Sequence, residues 1–169
     1  MLVLDTSGSM SEQGKLDSAK RGLKVFLAQL SPNDRVGLIS FNDQIFVNQA
    51  VDPFSQDRAR LLGQINQLFP GGETAVYDAT EQGLKTIQNL HDPTRINAVV
   101  VLTDGEDNQS HQTATELAHK LQAQARSEGL SVRVYTIAYG SEANRGELAG
   151  IAAASGGKGY SGDTSDIES

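Results

Sequence analysis

Cysteine is absent from this chain. Without it there is no disulfide framework, no thiolate metal site and no thiol nucleophile, and the redox compartment is not legible. Proline is scarce, with 4 in 169 residues, and there is no Pro-rich tract, low-complexity segment or internal repeat. The length suits one compact domain with a real core. Basic charge is in deficit, since 14 Lys and Arg face 21 Asp and Glu for a formal charge of −7. That balance works against nucleic acid phosphates or an anionic membrane as partners and favours cations. Long apolar runs are missing too. No stretch approaches the roughly 20 residues of a spanning helix. The opening MLVLDTSGSM stops being apolar at Asp5, which is too early for a secretory signal.

What is present alternates short Val/Ile/Leu-rich runs with longer stretches whose apolar residues recur three and four apart, the pattern of a wound α/β fold. A first strand is expected at Leu2 to Leu4, ending at Asp5. A helix follows from about Lys15 to Leu30, with Leu16, Ala19, Leu23, Phe26, Leu27 and Leu30 on one face, stopped by Ser31-Pro32-Asn33-Asp34. Arg35 to Phe41 reads as a buried strand. Asn42-Asp43 reads as a tight turn into a second strand, Gln44 to Val51, which must be antiparallel to the first. Further helices are expected at about Asp57 to Leu68, Ala75 to Leu90, Thr113 to Ser127 and Arg145 to Ala154. Further strands are expected at Ile96 to Leu102, Ser131 to Ala138 and Lys158 to Tyr160. Ser165 followed by Glu168 matches a capping box and would begin one more helix. Residues 1–169 are thus expected to form a single domain cut at both ends from a larger host.

In an open α/β sheet, ligands bind beyond the carboxyl ends of the strands. Three stretches should meet there. In Asp5-Thr6-Ser7-Gly8-Ser9 a strand-end carboxylate precedes two hydroxyls spaced two apart. In Pro70-Gly71-Gly72-Glu73-Thr74 a flexible loop delivers a hydroxyl to the start of a helix. Asp104 closes the most apolar strand, just before Gly105. Two carboxylates and three hydroxyls are hard oxygen donors, which suit Mg²⁺, Mn²⁺ or Ca²⁺ better than Zn²⁺ or Cu²⁺. Neutral hydroxyls donate weakly, so an ion held this way stays electrophilic and attracts an outside carboxylate.

Asp5-Thr6-Ser7-Gly8-Ser9 resembles the DxSxS motif of the von Willebrand factor A family. That family's metal-ion-dependent adhesion site (MIDAS) is completed by a distant Thr and Asp, and Thr74 and Asp104 match those places. The Gly-Gly-Glu-Thr-Ala-Val-Tyr-Asp-Ala and Leu-Thr-Asp-Gly stretches sit where the family has them, and the lean loops are similar to those of its bacterial members. The resemblance implies a Rossmann-like α/β/α fold with a mainly parallel sheet and one antiparallel edge strand. It implies that Ser7 and Ser9 bind the ion directly and that Asp5 reaches it through water, with Thr74 and Asp104 trading direct and water-mediated contact. It also implies a protein partner that supplies an Asp or Glu carboxylate, with no nucleic acid and no membrane contact by the domain itself. An extracytoplasmic or cell-surface setting is the expectation for the host.

Plainer readings stand beside these. Asp5 is also a turn former, and Ser7, Ser9 and Thr74 are also capping residues. Glu73, Glu106, Asp107 and Glu12 form either a solvated acidic rim or a filter that favours a carboxylate flanked by basic residues. His91, His111 and His119 are too scattered for a metal site or a catalytic base. Enzymatic alternatives lack their parts. An aspartyl-phosphate phosphatase of the haloacid-dehalogenase type wants a second Asp where Ser7 stands, and a receiver domain wants an acidic pair and a late Lys. There is no Walker A motif, dinucleotide fingerprint or nucleophile elbow. The remaining alternative is a metal-stabilised structural module that binds by another face.

Overall fold

The computed structural model describes residues 1–127, 129–140 and 143–162. Its strands are β1 (Leu2–Asp5), β2 (Arg35–Phe41), β3 (Ile45–Pro53), β4 (Asn97–Thr103), β5 (Val132–Ala138) and β6 (Gly159–Ser161), forming one sheet in the order β3-β2-β1-β4-β5-β6. Every neighbouring pair is parallel except β2 with β3, as the tight turn between those two demands. The helices are α1 (Lys15–Ala28), α2 (Phe54–Gln67), α3 (Val76–Gln88), α4 (Ala114–Arg126) and α5 (Arg145–Ala154), and a 3-10 segment, Gly8–Gly14, precedes α1. No helix among the described residues is long and apolar enough to cross a membrane. This is the expected three-layer α/β/α architecture.

Strand alternation divides the core in two, because successive side chains leave a strand on opposite faces. Val3, Ile39, Phe41, Val99, Val101 and Val134 pack with residues of α3, α4 and α5. Leu2, Leu4, Leu38 and Leu102 pack with residues of α1 and α2 on the other face. Buried on both sides, the central strands carry near-continuous apolar runs. The chain winds outward from β1 in one direction through β2 and in the other through β4, so the sheet's switch point lies between the carboxyl ends of β1 and β4. Crevices for ligands form at such a point, and Asp5 and Asp104 are the residues that emerge there.

Two helix boundaries differ from those expected. Helix α1 ends at Ala28 rather than Leu30, its last turn tightening to i−3 bonds in which Gln29 N donates to Phe26 O at 3.0 Å and Leu30 N to Leu27 O at 3.3 Å. Phe26, expected on the buried face, is 41% exposed. Helix α2 begins at Phe54, three residues earlier than expected, with Phe54 itself buried. Helix α4 starts with a capping box in which Thr113 Oγ1 accepts from Glu116 N at 3.2 Å and Glu116 Oε2 accepts from Thr113 N at 2.7 Å. The other capping box, at Ser165 and Glu168, lies outside the described residues.

Candidate metal centre

Asp5 ends β1 fully buried between β2 and β4. One carboxylate oxygen, Oδ1, accepts from Ser7 N at 2.8 Å, and the other, Oδ2, accepts from Thr103 Oγ1 at 2.6 Å. The Thr103 hydroxyl in turn accepts from Gly105 N at 3.0 Å, so a single chain of bonds sets Asp5 and the start of the Asp104 loop. Burial pushes the Asp5 carboxyl up to about 6, against the hydrogen bonds from Ser7 and Thr103, and the nearby Asp104 charge adds to the rise. A cation beside Asp5 would relieve this.

The four hydroxyls after Asp5 divide by direction. Thr6 Oγ1 donates to Phe41 O at 3.0 Å and Ser11 Oγ donates to Gly8 O at 2.7 Å, which ties both to the backbone. Ser7 and Ser9 instead face each other, with their Oγ atoms 3.1 Å apart. Ser7 occupies the cap position of the 3-10 segment without any side-chain capping bond, so the plain capping reading does not describe it.

The Gly71-Gly72 loop is fastened to this turn from both sides. Gly71 N donates to Thr6 O at 2.8 Å, Gly8 N donates to Gly72 O at 2.9 Å, and Asn42 Nδ2 donates to Gly71 O at 2.9 Å. Gly72 has φ +82, and a β-carbon there would lie 2.9 Å from Asn42 Nδ2, so both the backbone conformation and the Asn42 side chain favour glycine here. Two residues on, Thr74 is 4% exposed. Its backbone is pinned by Asn108, whose Oδ1 accepts from Thr74 N at 2.9 Å and whose N donates to Thr74 O at 2.9 Å. The Thr74 hydroxyl makes no hydrogen bond with another described residue. Nor does it cap α3, which has Ala75 at its cap position and no side-chain capping bond from it.

That helix is capped from elsewhere. Asp107 Oδ2 accepts from Tyr77 N at 3.1 Å, and Ser110 Oγ accepts from Tyr77 N at 3.1 Å and Asp78 N at 3.0 Å. Asp107 therefore belongs to the helix start rather than to a free acidic rim. Replacing it with Ala is expected to cost about 1–2 kcal/mol, the usual worth of an N-terminal cap. Urea unfolding in chelator would show this loss, and an unchanged midpoint would return Asp107 to the rim. Of the other rim residues, Glu73 Oε2 accepts from Asn108 Nδ2 at 2.7 Å, Glu106 is exposed, and Glu12 lies 4.0 Å from the Lys15 ammonium.

Residues 1–106 match the family model described as the von Willebrand factor type A domain. The chain belongs to that family. Its members are metal-dependent protein-interaction modules. A curated relative, calcium-activated chloride channel regulator 4 of Homo sapiens, is 33% identical over 109 residues, 63% of this chain and 12% of the relative. This chain thus spans only a small part of that protein. Among solved structures, a von Willebrand factor type A protein from Catenulispora acidiphila superposes with TM-score 0.82 at 23% identity, covering 98% of this chain and 39% of that one. Proximal thread matrix protein 1 of the mussel byssus, solved with a zinc-occupied MIDAS motif, superposes with TM-score 0.72 at 21% identity, covering 99% and 42%. At these identities the two structures speak for the fold.

The donors of this von Willebrand factor A domain fit a hard divalent ion. No group of three or more His, Cys, Asp or Glu side chains is gathered anywhere among the described residues, so a Zn-type cage is absent there. The switch point offers instead a buried carboxylate, a facing pair of hydroxyls, a hydroxyl with no hydrogen-bond partner among the described residues, and a second carboxylate. Oxygen donors of this kind match the ligand chemistry of hard divalent cations. Asp104 is 6% exposed, and its Oδ2 accepts from Lys15 Nζ at 3.0 Å. Lys15, Asn42, Thr103 and Asn108 escaped the sequence reading. Lys15 alone left a signal, being a cation at a helix N-terminus, where the dipole disfavours it.

Proposed function

We propose that the domain holds one divalent ion, Mg²⁺ with Mn²⁺ or Ca²⁺ as alternatives, on Asp5, Ser7, Ser9, Thr74 and Asp104, and presents it to a carboxylate of a partner protein. The observation that carries this reading is the pair of Ser7 and Ser9 hydroxyls facing each other beside buried Asp5, with no capping role to explain them. When bound, the ion supplies an electrophilic position for the incoming carboxylate. The residues orient it: Thr103 and the Ser7 amide fix Asp5, and the Gly71-Gly72 loop brings Thr74 toward the turn. The zinc-occupied MIDAS of the mussel protein supports divalent binding, while the all-oxygen donor set favours Mg²⁺ here.

The domain acts by binding, without catalysis. Its partner carries an Asp or Glu, and basic residues beside that carboxylate would answer exposed Glu73 and Glu106. The setting proposed for the host is extracytoplasmic.

Thr74→Ala tests the reading directly. Because the hydroxyl makes no described hydrogen bond, the variant should keep its unfolding midpoint in chelator. Mg²⁺ affinity by calorimetry should fall about tenfold, on the order of 1.4 kcal/mol, and acetate, the simplest carboxylate, should bind only the Mg²⁺-loaded wild type. Unchanged Mg²⁺ affinity would favour a module that binds by another face.

A further inference from the structure

Lys15 is the first residue of α1, yet it behaves as part of the site rather than of the helix. Its ammonium is 3.0 Å from Asp104 Oδ2, with the two side chains 10% and 6% exposed, and it lies 3.5 Å from the Ser9 carbonyl. The stem is clamped as well. Gly140 has φ +84, and a β-carbon there would stand 2.9 Å from Lys15 Cε, so a side chain at this position would crowd the lysine stem. Helix electrostatics do not explain the placement, because a cation at a helix N-terminus opposes the macrodipole. A buried ion pair of this kind also costs desolvation, and a hydrophobic residue would fill the same space without that cost.

We propose that Lys15 is a built-in counter-cation that neutralises one of the site's two carboxylates, so that a bound divalent ion keeps net positive charge for the partner. This rests on the metal-site reading given above. Without Lys15, Asp5 and Asp104 together would cancel a divalent charge, and the loaded centre would attract a further carboxylate more weakly. With it, Asp5, Asp104 and Lys15 together carry one net negative charge, and with a divalent ion the same group is cationic. Lys15 thus trades metal affinity for affinity toward the acidic ligand. It also holds Asp104 in place before the metal arrives.

The test compares wild type, Asp5→Asn, Lys15→Gln and Lys15→Met after chelator treatment. Mg²⁺ affinity is read by calorimetry, the Mg²⁺-induced rise in Tm by thermal unfolding, and ligand binding by acetate titration of the loaded proteins. Both Lys15 variants should bind Mg²⁺ about tenfold more tightly, or tighter still, through removal of a nearby like charge. Their Tm rise should be larger than that of wild type and their acetate binding weaker. A variant that is unfolded in chelator is titrated back with Mg²⁺. Refolding at or below the wild-type binding midpoint supports the proposal, and failure to refold at saturation overturns it. Mg²⁺ affinity that is equal to wild type or weaker in the Lys15 variants also overturns it, provided wild type binds and Asp5→Asn does not. If wild type and Asp5→Asn bind alike, the metal-site reading itself is what fails.

Discussion

Asp5→Asn is expected to abolish Mg²⁺-dependent stabilisation while making the metal-free protein more stable at pH 7. The two effects share a cause. Asp5 is fully buried, and its carboxyl sits at about 6 against an ordinary value of 3.8. A carboxyl raised in the folded state contributes stability that is fully present below pH 3.8 and is lost as pH climbs through about 6. At neutral pH the metal-free fold therefore carries an ionised group that burial disfavours, at a cost of about 1–3 kcal/mol. Asn removes the charge and still matches both partners, accepting from Ser7 N and donating to the Thr103 hydroxyl. Urea unfolding of wild type in chelator should weaken between pH 4 and 7 relative to the variant, and Mg²⁺ should erase that difference. Saturating metal adds stability as the logarithm of its concentration over Kd, about 2.7 kcal/mol at a hundredfold excess. A variant that keeps this increment would place the ion elsewhere.

Asp104→Ala should cost the metal-free protein more than any other change at the site. It strands the Lys15 ammonium, only 10% exposed, and breaking a buried pair from one side typically costs about 3–5 kcal/mol. The Ser9 carbonyl at 3.5 Å and Glu12 at 4.0 Å offset part of this. Adding Lys15→Met should restore most of the loss, since the double variant has no orphaned charge and keeps an apolar stem against Gly140. Unfolding midpoints of the wild type, both single variants and the double variant form the cycle that isolates the pair. An Asp104→Ala protein as stable as wild type would show the ammonium escaping to solvent.

Much of this molecule was open to a reader of its sequence, for reasons that differ by feature. The strands were legible because packing on both faces demands apolar runs such as Val99 to Leu102, although Ile96, expected to open that strand, lies outside it and is 89% exposed. The antiparallel edge was legible because a tight turn at Asn42-Asp43, part of a three-residue connection from Phe41 to Ile45, permits nothing else. The hydroxyl pair could be found because Ser7 and Ser9 are two residues apart on one turn. Asp107 misled, because an acidic residue near a metal loop looks like a rim until Tyr77 N is seen donating to it. Phe26 misled because helical spacing places it beside the apolar stripe, while packing against the sheet leaves it at the border.

Local spacing and residue chemistry, read from the sequence alone, determined the α/β class and the five candidate donors Asp5, Ser7, Ser9, Thr74 and Asp104. Tertiary structure alone decided which groups surround those donors. Thr103 comes to Asp5 across 98 positions of chain, and Lys15 comes to Asp104 across 89. Such pairings follow from strand order and helix docking, which no local pattern encodes. The charge of the site therefore had to be read in space: in sequence it has two carboxylates, and in the fold one of them is already answered.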